Sequence, residues 1–82
     1  MVIVPLSELN VYDEGVIDCI TIKDERYHQR INGMGLRCKM RIRVDQKLFS
    51  NIRVSVGEGF TTSLGIRQRD AKKIYIHFLP TL

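Results

Sequence analysis

The sequence predicts a mainly β domain, a small barrel of five short, half-buried strands with one helix inserted after the first, over about residues 25–34. Three observations predict it. Val16 to Ile22 is apolar and β-branched but for Asp18, and four later stretches alternate apolar and polar residues with a period of two, the spacing that sends successive side chains to opposite faces of a sheet. The period changes once, where Tyr27, Ile31 and Met34 fall at i, i+4 and i+7 and share one helix face. Finally, 82 residues suffice for a single modest core, and closing five such strands into a barrel leaves little unpaired edge.

Each element has a local reason. Met1 to Val4 is expected as a short strand or ordered tail, ended by Pro5, which forces the preceding residue toward extended geometry. Ser7 is placed to cap one helical turn holding Glu8 and Leu9, with Leu6 and Leu9 over one end of the core. Asn10 to Gly15 is a turn-rich link, and Val16 to Ile22 the first strand, with Asp18 facing solvent. Asp24 and Glu25 put negative charge at the start of the helix. Gly33 weakens its last turn by about 1 kcal/mol. Gly35 can take the left-handed conformation that closes a helix, and Leu36 can fold back over the last turn.

The second strand sets Cys38, Met40, Ile42 and Val44 against a basic face of Arg37, Lys39, Arg41 and Arg43. Asp45-Gln46-Lys47 reads as a polar turn, after which Phe49 to Val56 resumes the alternation, Ile52, Val54 and Val56 on one side and Asn51, Arg53 and Ser55 on the other. Gly57-Glu58-Gly59 is a hairpin turn. Phe60, Thr62, Leu64 and Ile66 continue with period two, and Gly65 lies opposite, where another backbone can approach. Arg69 to Lys73 forms one helical turn around Ala71, and Ile74 to Phe78 is the last strand, ended by Pro80.

Composition removes several function classes. With 44% apolar and 27% charged residues the chain is an ordinary globular one, without repeats or low-complexity segments. The N-terminus has neither a basic lead nor a long apolar run, so a cytoplasmic protein without membrane insertion is expected. Cys19 and Cys38 sit at apolar strand positions as small buried hydrophobes. With His28 they lack the close ligand pairs of a metal site. Gly57-x-Gly59 lacks the Lys-Ser/Thr of a phosphate loop, His28 and His77 read as solvent-edge side chains, and the carboxylates are scattered. No enzyme, cofactor or metal is expected. A binding module remains, and Lys39, Arg41, Arg43 and Arg53 form its basic face, with Arg67, Arg69, Lys72 and Lys73 clustered near the end. Such a face is either simply solvated or docks on an acidic protein surface. Dispersed aromatics give no stacking platform, so nucleic acid is not expected.

Arg30-Ile31, then Met34-Gly35-Leu36, then Ile42-x-Val44 resemble the central motif of FeoA-type domains. The rest follows in order: Leu6-Ser7-Glu8-Leu9, Gly15-Val16-Ile17 with Ile20, Ile52-Arg53-Val54, and Leu64-Gly65-Ile66-Arg67 with Ala71 and Ile74. The resemblance runs from about Pro5 to Ile76 and implies a single domain over residues 1–82, an SH3-like barrel with a helical insertion. It also implies a small non-catalytic partner of FeoB, the membrane ferrous-iron transporter with a GTP-binding domain, held by that partner at the inner face of the membrane. Similar domains form the regulatory part of iron-dependent repressors; this chain resembles the stand-alone version, so DNA-binding helices are not expected. Arg30, Met34, Gly35, Leu36 and the adjoining Arg37 are the implied partner contacts. Met34 and Leu36 also fit a core role and Gly35 that of a helix terminator, which leaves Arg30 as the contact packing does not explain. The chain departs from the family in two places. Arg37-Cys38 replaces the usual Pro-Gly, and Gly15 is the only glycine of a link that usually carries one near Val11 or Tyr12. The alternatives are a basic barrel that binds RNA or another polyanion, and a homo-oligomeric scaffold.

Overall fold

The computed structural model describes residues 2–78. Its strands are β1 (Val2–Pro5), β2 (Glu14–Ile20), β3 (Arg41–Lys47), β4 (Asn51–Val56), β5 (Thr62–Arg67) and β6 (Ile74–Phe78), and its helices α1 (Glu25–Gly33) and α2 (Gln68–Ala71). All pair antiparallel in one sheet of order β1-β6-β2-β3-β4-β5. The expected closed barrel of five strands is therefore corrected. There are six strands, and β1 and β5 are edges among the described residues. Pro5, which has no N–H to give, is tolerated in β1 because that strand is an edge. The end of the core is covered by helical turns rather than by strand pairing. The 3₁₀ turn Leu6–Glu8 packs on α2, which packs in turn on β4 and β5.

The period-two pattern explains the core. Ile17, Ile42, Val44, Ile52, Val54, Ile66, Ile74 and Ile76 are fully buried on the inner face, and Leu6, Leu9, Leu36 and Ala71 close around them. Burying each large aliphatic side chain contributes roughly 1.5–3 kcal/mol. Ser7 does not cap: the turn begins at Leu6 without a side-chain cap, and Ser7 lies inside it.

Two irregularities in the sheet share a cause. Between Ile17 and Cys19 of β2, and between Val44 and Gln46 of β3, the register against the neighbouring strand slips by one. The extra residue is an aspartate each time, Asp18 and Asp45. A bulge re-aims its side chain, and both carboxylates meet a base: Asp18 lies 3.2 Å from His77 Nε2, and Asp45 2.9 Å from Arg43 Nε.

α1 ends as expected. Asp24 caps its start, accepting from the amides of Arg26 and Tyr27. At its end Gly35 adopts φ +102°, its N–H donates to Asn32 O at 3.0 Å, and the Leu36 N–H reaches back to Ile31 O at 3.0 Å. This is a Schellman closure, with buried Leu36 and Ile31 as its apolar pair.

Between α1 and β3 the strand begins four residues later than the alternation suggests, at Arg41 rather than Arg37. Lys39 turns left-handed at φ +72°, and Cys38 before it is exposed, not a buried strand residue. At the far end β3 runs through Asp45, Gln46 and Lys47, expected as a turn, and the true reversal carries Leu48 and Phe49. Phe60 belongs to the turn before β5. Tyr12 takes φ +73°, a conformation that glycine adopts without cost. Met1 and Pro80 lie outside the described residues.

Candidate functional site

The residues singled out by the central motif part ways in space. Leu36 is buried under the helix end, and Gly35 is the left-handed step that puts it there. Met34, which fits a core role by sequence, is 41% exposed at the helix C-cap, because the turn at Gly35 swings the chain inward only after it. Arg30 and Arg37 are exposed. Arg30 and Met34, four residues apart and so on one helix face, line a groove of about 270 Å³ with Tyr27, Ile31, Leu64, Gly65 and Arg67. Its far wall is β5, whose outer edge has no strand partner among the described residues.

Tyr27 and Arg67 join the two walls of the groove. The Arg67 guanidinium carbon sits 5.3 Å from the centre of the Tyr27 ring, and its Nε donates to Asp70 Oδ2 at 3.0 Å. Asp70 is 6% exposed. Burial, and then the neighbouring Asp70 carboxylate, push the Tyr27 phenol up from its usual range, so it stays a neutral donor. The groove thus presents two arginine side chains, an exposed thioether and a glycine whose missing side chain leaves open space. It has no paired acid and base and suits an apolar group bearing negative charge.

The basic face is not a free stripe. Arg41 Nη2 lies 3.2 Å from Glu14 Oε1, and Arg43 is held by Asp45. Both guanidinium groups lie over the Phe60 ring, at 5.1 and 4.8 Å from its centre. The buried Ser55 hydroxyl donates to Asp45 from below. Burial alone raises the Asp45 carboxyl. The hydrogen bonds from Ser55 and Arg43 and the charges of Arg43 and Arg53 outweigh it, so that the group is held below the usual carboxylate range. Lys39 lies off the strand, in the turn, and Arg53 is exposed beside Asp45. The four residues are on one side of the sheet or near it, but two are neutralised.

Among the described residues no group of three or more His, Cys, Asp and Glu could hold a metal ion. Burial, with Asp18 nearby, pushes the Cys19 thiol up, away from the thiolate that would react or ligate. His28 accepts from, or donates to, Asn32 at 3.1 Å on its own helix. No described helix is long and apolar enough to cross a membrane.

Tyr27 and Gly65 were not visible as site residues in the sequence, and Arg67 was read only as part of a basic cluster with Arg69, Lys72 and Lys73, since nearly forty positions separate the two walls of the groove. The one available signal was Gly65, an unpacked position in an otherwise regular strand. Phe60 as a platform for arginines carried no signal.

Comparison with known proteins agrees with this architecture. Among curated proteins, no sequence is significantly similar to the chain. Among solved structures, an iron uptake regulatory protein, FeoA, shares 26% identity at a TM-score of 0.81, over 96% of this chain and 100% of its own. A FeoA protein from Chlorobium tepidum has 22% identity and a TM-score of 0.82, over 93% of this chain and 70% of its own. A manganese-dependent transcriptional repressor has 18% identity and a TM-score of 0.80, and the chain spans only 42% of it, so the likeness is one of fold. The FeoA domain model matches residues 4–77, from β1 to the penultimate described residue, and the chain belongs to the FeoA domain family.

Proposed function

We propose that this protein is a small non-catalytic accessory component of ferrous iron uptake that binds the cytoplasmic part of a FeoB-type, GTPase-coupled Fe(II) transporter and modulates it. Family membership supports a role in ferrous iron transport systems. The observation that carries the finer reading is the groove between α1 and β5. There the family motif leaves Arg30 and Met34 exposed side by side, while its other members, Gly35 and Leu36, are spent on closing the helix. A motif partly unexplained by packing, beside an unpaired strand edge, is what a protein-docking surface requires. The pairing of Arg41 with Glu14 and of Arg43 with Asp45 tells against a polyanion-binding face, since phosphate contacts need free cations.

The test is binding of the purified chain to the isolated GTPase domain and to the full-length transporter, with and without a GTP analogue. Saturable binding that Arg30→Ala weakens about tenfold, the loss of one well-placed ionic contact, supports the reading. Absence of binding to either form sinks it, and steep loss of RNA capture with salt would promote the polyanion reading in its place.

A further inference from the structure

We propose that the β3–β4 hairpin tip is a lipid-contact element, in which Leu48 and Phe49 enter the headgroup layer of an anionic bilayer while Lys47 and Arg69 face its phosphates. Phe49 is 102% exposed and its neighbour Leu48 45%. Among the described residues no other large apolar side chain is as exposed as Phe49; Tyr12 follows at 76%, and Ile3 and Val2 stand out slightly more than Leu48. The tip is firmly anchored. Leu48 N–H donates to Asn51 O at 2.8 Å, and Gln68 N–H ties Ser50 O to the start of α2 at 3.0 Å. The backbone that carries the two side chains is therefore held in place, and little of it remains to be ordered on contact.

A basic collar surrounds them. Ser50 and Asn51 share a cleft of about 410 Å³ with Arg67, Gln68 and Arg69. Lys47, at the base of the tip, donates to the carbonyls of Ser7 and Leu9 at 3.0 and 2.9 Å, contacts that leave its charge uncompensated. The carboxylates on the adjoining elements are Asp45 on β3, held by Arg43, Asp70, buried and held by Arg67, and Glu8, on the 3₁₀ turn packed against α2. Two of the three carboxylates are thus paired with arginines, and Lys47 and Arg69 stand against Glu8 alone.

Shape decides between a bilayer and a protein partner. A stable protein interface needs roughly 800 Å² from each partner, and a tip of two side chains is convex and far smaller. The interfacial layer of a membrane accepts such a tip, and each cation near an anionic surface adds to the attraction. The contact is peripheral, at headgroup depth. It involves residues other than Arg30 and Met34, so it stands whether or not the groove binds a transporter.

The chain contains no Trp, so Phe49→Trp gives a single reporter at the tip. Protein-free vesicles of phosphatidylcholine, with and without phosphatidylglycerol, separate lipid contact from transporter binding. The expected result is a blue shift and co-sedimentation with the anionic vesicles alone, falling as salt is raised. Phe49→Ser should lower that partitioning about tenfold, by loss of the buried aromatic. Arg69→Glu should lower it about thirtyfold, by the change of two charges at the surface. Both positions are exposed, so far-ultraviolet circular dichroism should show both variants folded. No shift with anionic vesicles overturns the proposal. So does vesicle binding that Phe49→Ser leaves unchanged, or a mass above one chain that Phe49→Ser abolishes, which would make the tip a contact between copies.

Discussion

Arginines lie over aromatic rings at two places in this molecule, and the two differ in what they leave over. On the outer face of β3, Arg41 and Arg43 share the Phe60 ring, and each has its own carboxylate, Glu14 or Asp45. Beside α1, Arg67 lies over Tyr27 and is paired with Asp70, but Arg30 and Met34 next to it line open space. The first arrangement is closed and the second is half open. Clustered charge in a sequence therefore says little about an interaction surface. What matters is whether the fold delivers the counter-ion, and on β3 it does so through a bulge at Asp45.

The largest expected effect tests the closed region. Asp45→Ala leaves the Ser55 hydroxyl buried without its acceptor and Arg43 without its partner. Stability should fall by about 2 kcal/mol, the cost of stranding such groups, read as a lower urea midpoint with transporter binding unchanged. The pH dependence sharpens this. The folded carboxyl is held below its unfolded value. Its contribution is thus fully present above the ordinary carboxylate pKa of about 3.9, and is lost as pH falls through the lower folded value. Asp45→Asn should accordingly flatten the acid limb of the stability curve. An unchanged limb would mean that the charged Asp45 adds no net stability to the fold.

Phe60→Leu comes next. It keeps an apolar side chain in the turn but removes the π face under two guanidinium groups. A loss of about 1 kcal/mol is expected at this half-exposed site, measured by thermal or urea unfolding. Additivity with Asp45→Ala would break the comparison, since a closed cluster should couple its members.

The residues show why part of this was legible in the sequence and part was not. Period two, one change of period and Gly35 gave the strands, α1 and its closure, because each follows from local geometry. Tyr27, Ile31 and Met34 shared a stripe as expected, yet only Ile31 is buried, since whether a helix face meets the core depends on what lies opposite. The bulges at Asp18 and Asp45 were not legible, because one inserted residue leaves the flanking alternation nearly intact. Phe49, expected to open the next strand, stands in the reversal for the same reason: with Asp45 inserted, β3 runs to Lys47 and the reversal moves along the chain. The extra strand β1 is short and apolar, and its pairing with β6 is a contact between the two ends of the chain. Of the groove, only the α1 wall could be read, because β5 reaches it through the fold.

The smallest effect on stability separates the open region most sharply from the closed one. A Cβ at Gly65 would meet no atom within 4 Å, and Gly65 lines the groove. Gly65→Val therefore introduces no clash, and a β-branched residue suits an exposed strand position better than glycine. Stability should rise by about 0.5 kcal/mol, the usual scale of such exchanges. The added side chain nevertheless occupies space beside Arg30 and Met34, so transporter binding should weaken together with that of Arg30→Ala. A variant that is more stable and binds less well is the signature of a surface kept open for a partner. If Gly65→Val bound as tightly as the parent while Arg30→Ala did not, Arg30 would act from its exposed side alone, and the β5 wall would have no part in docking.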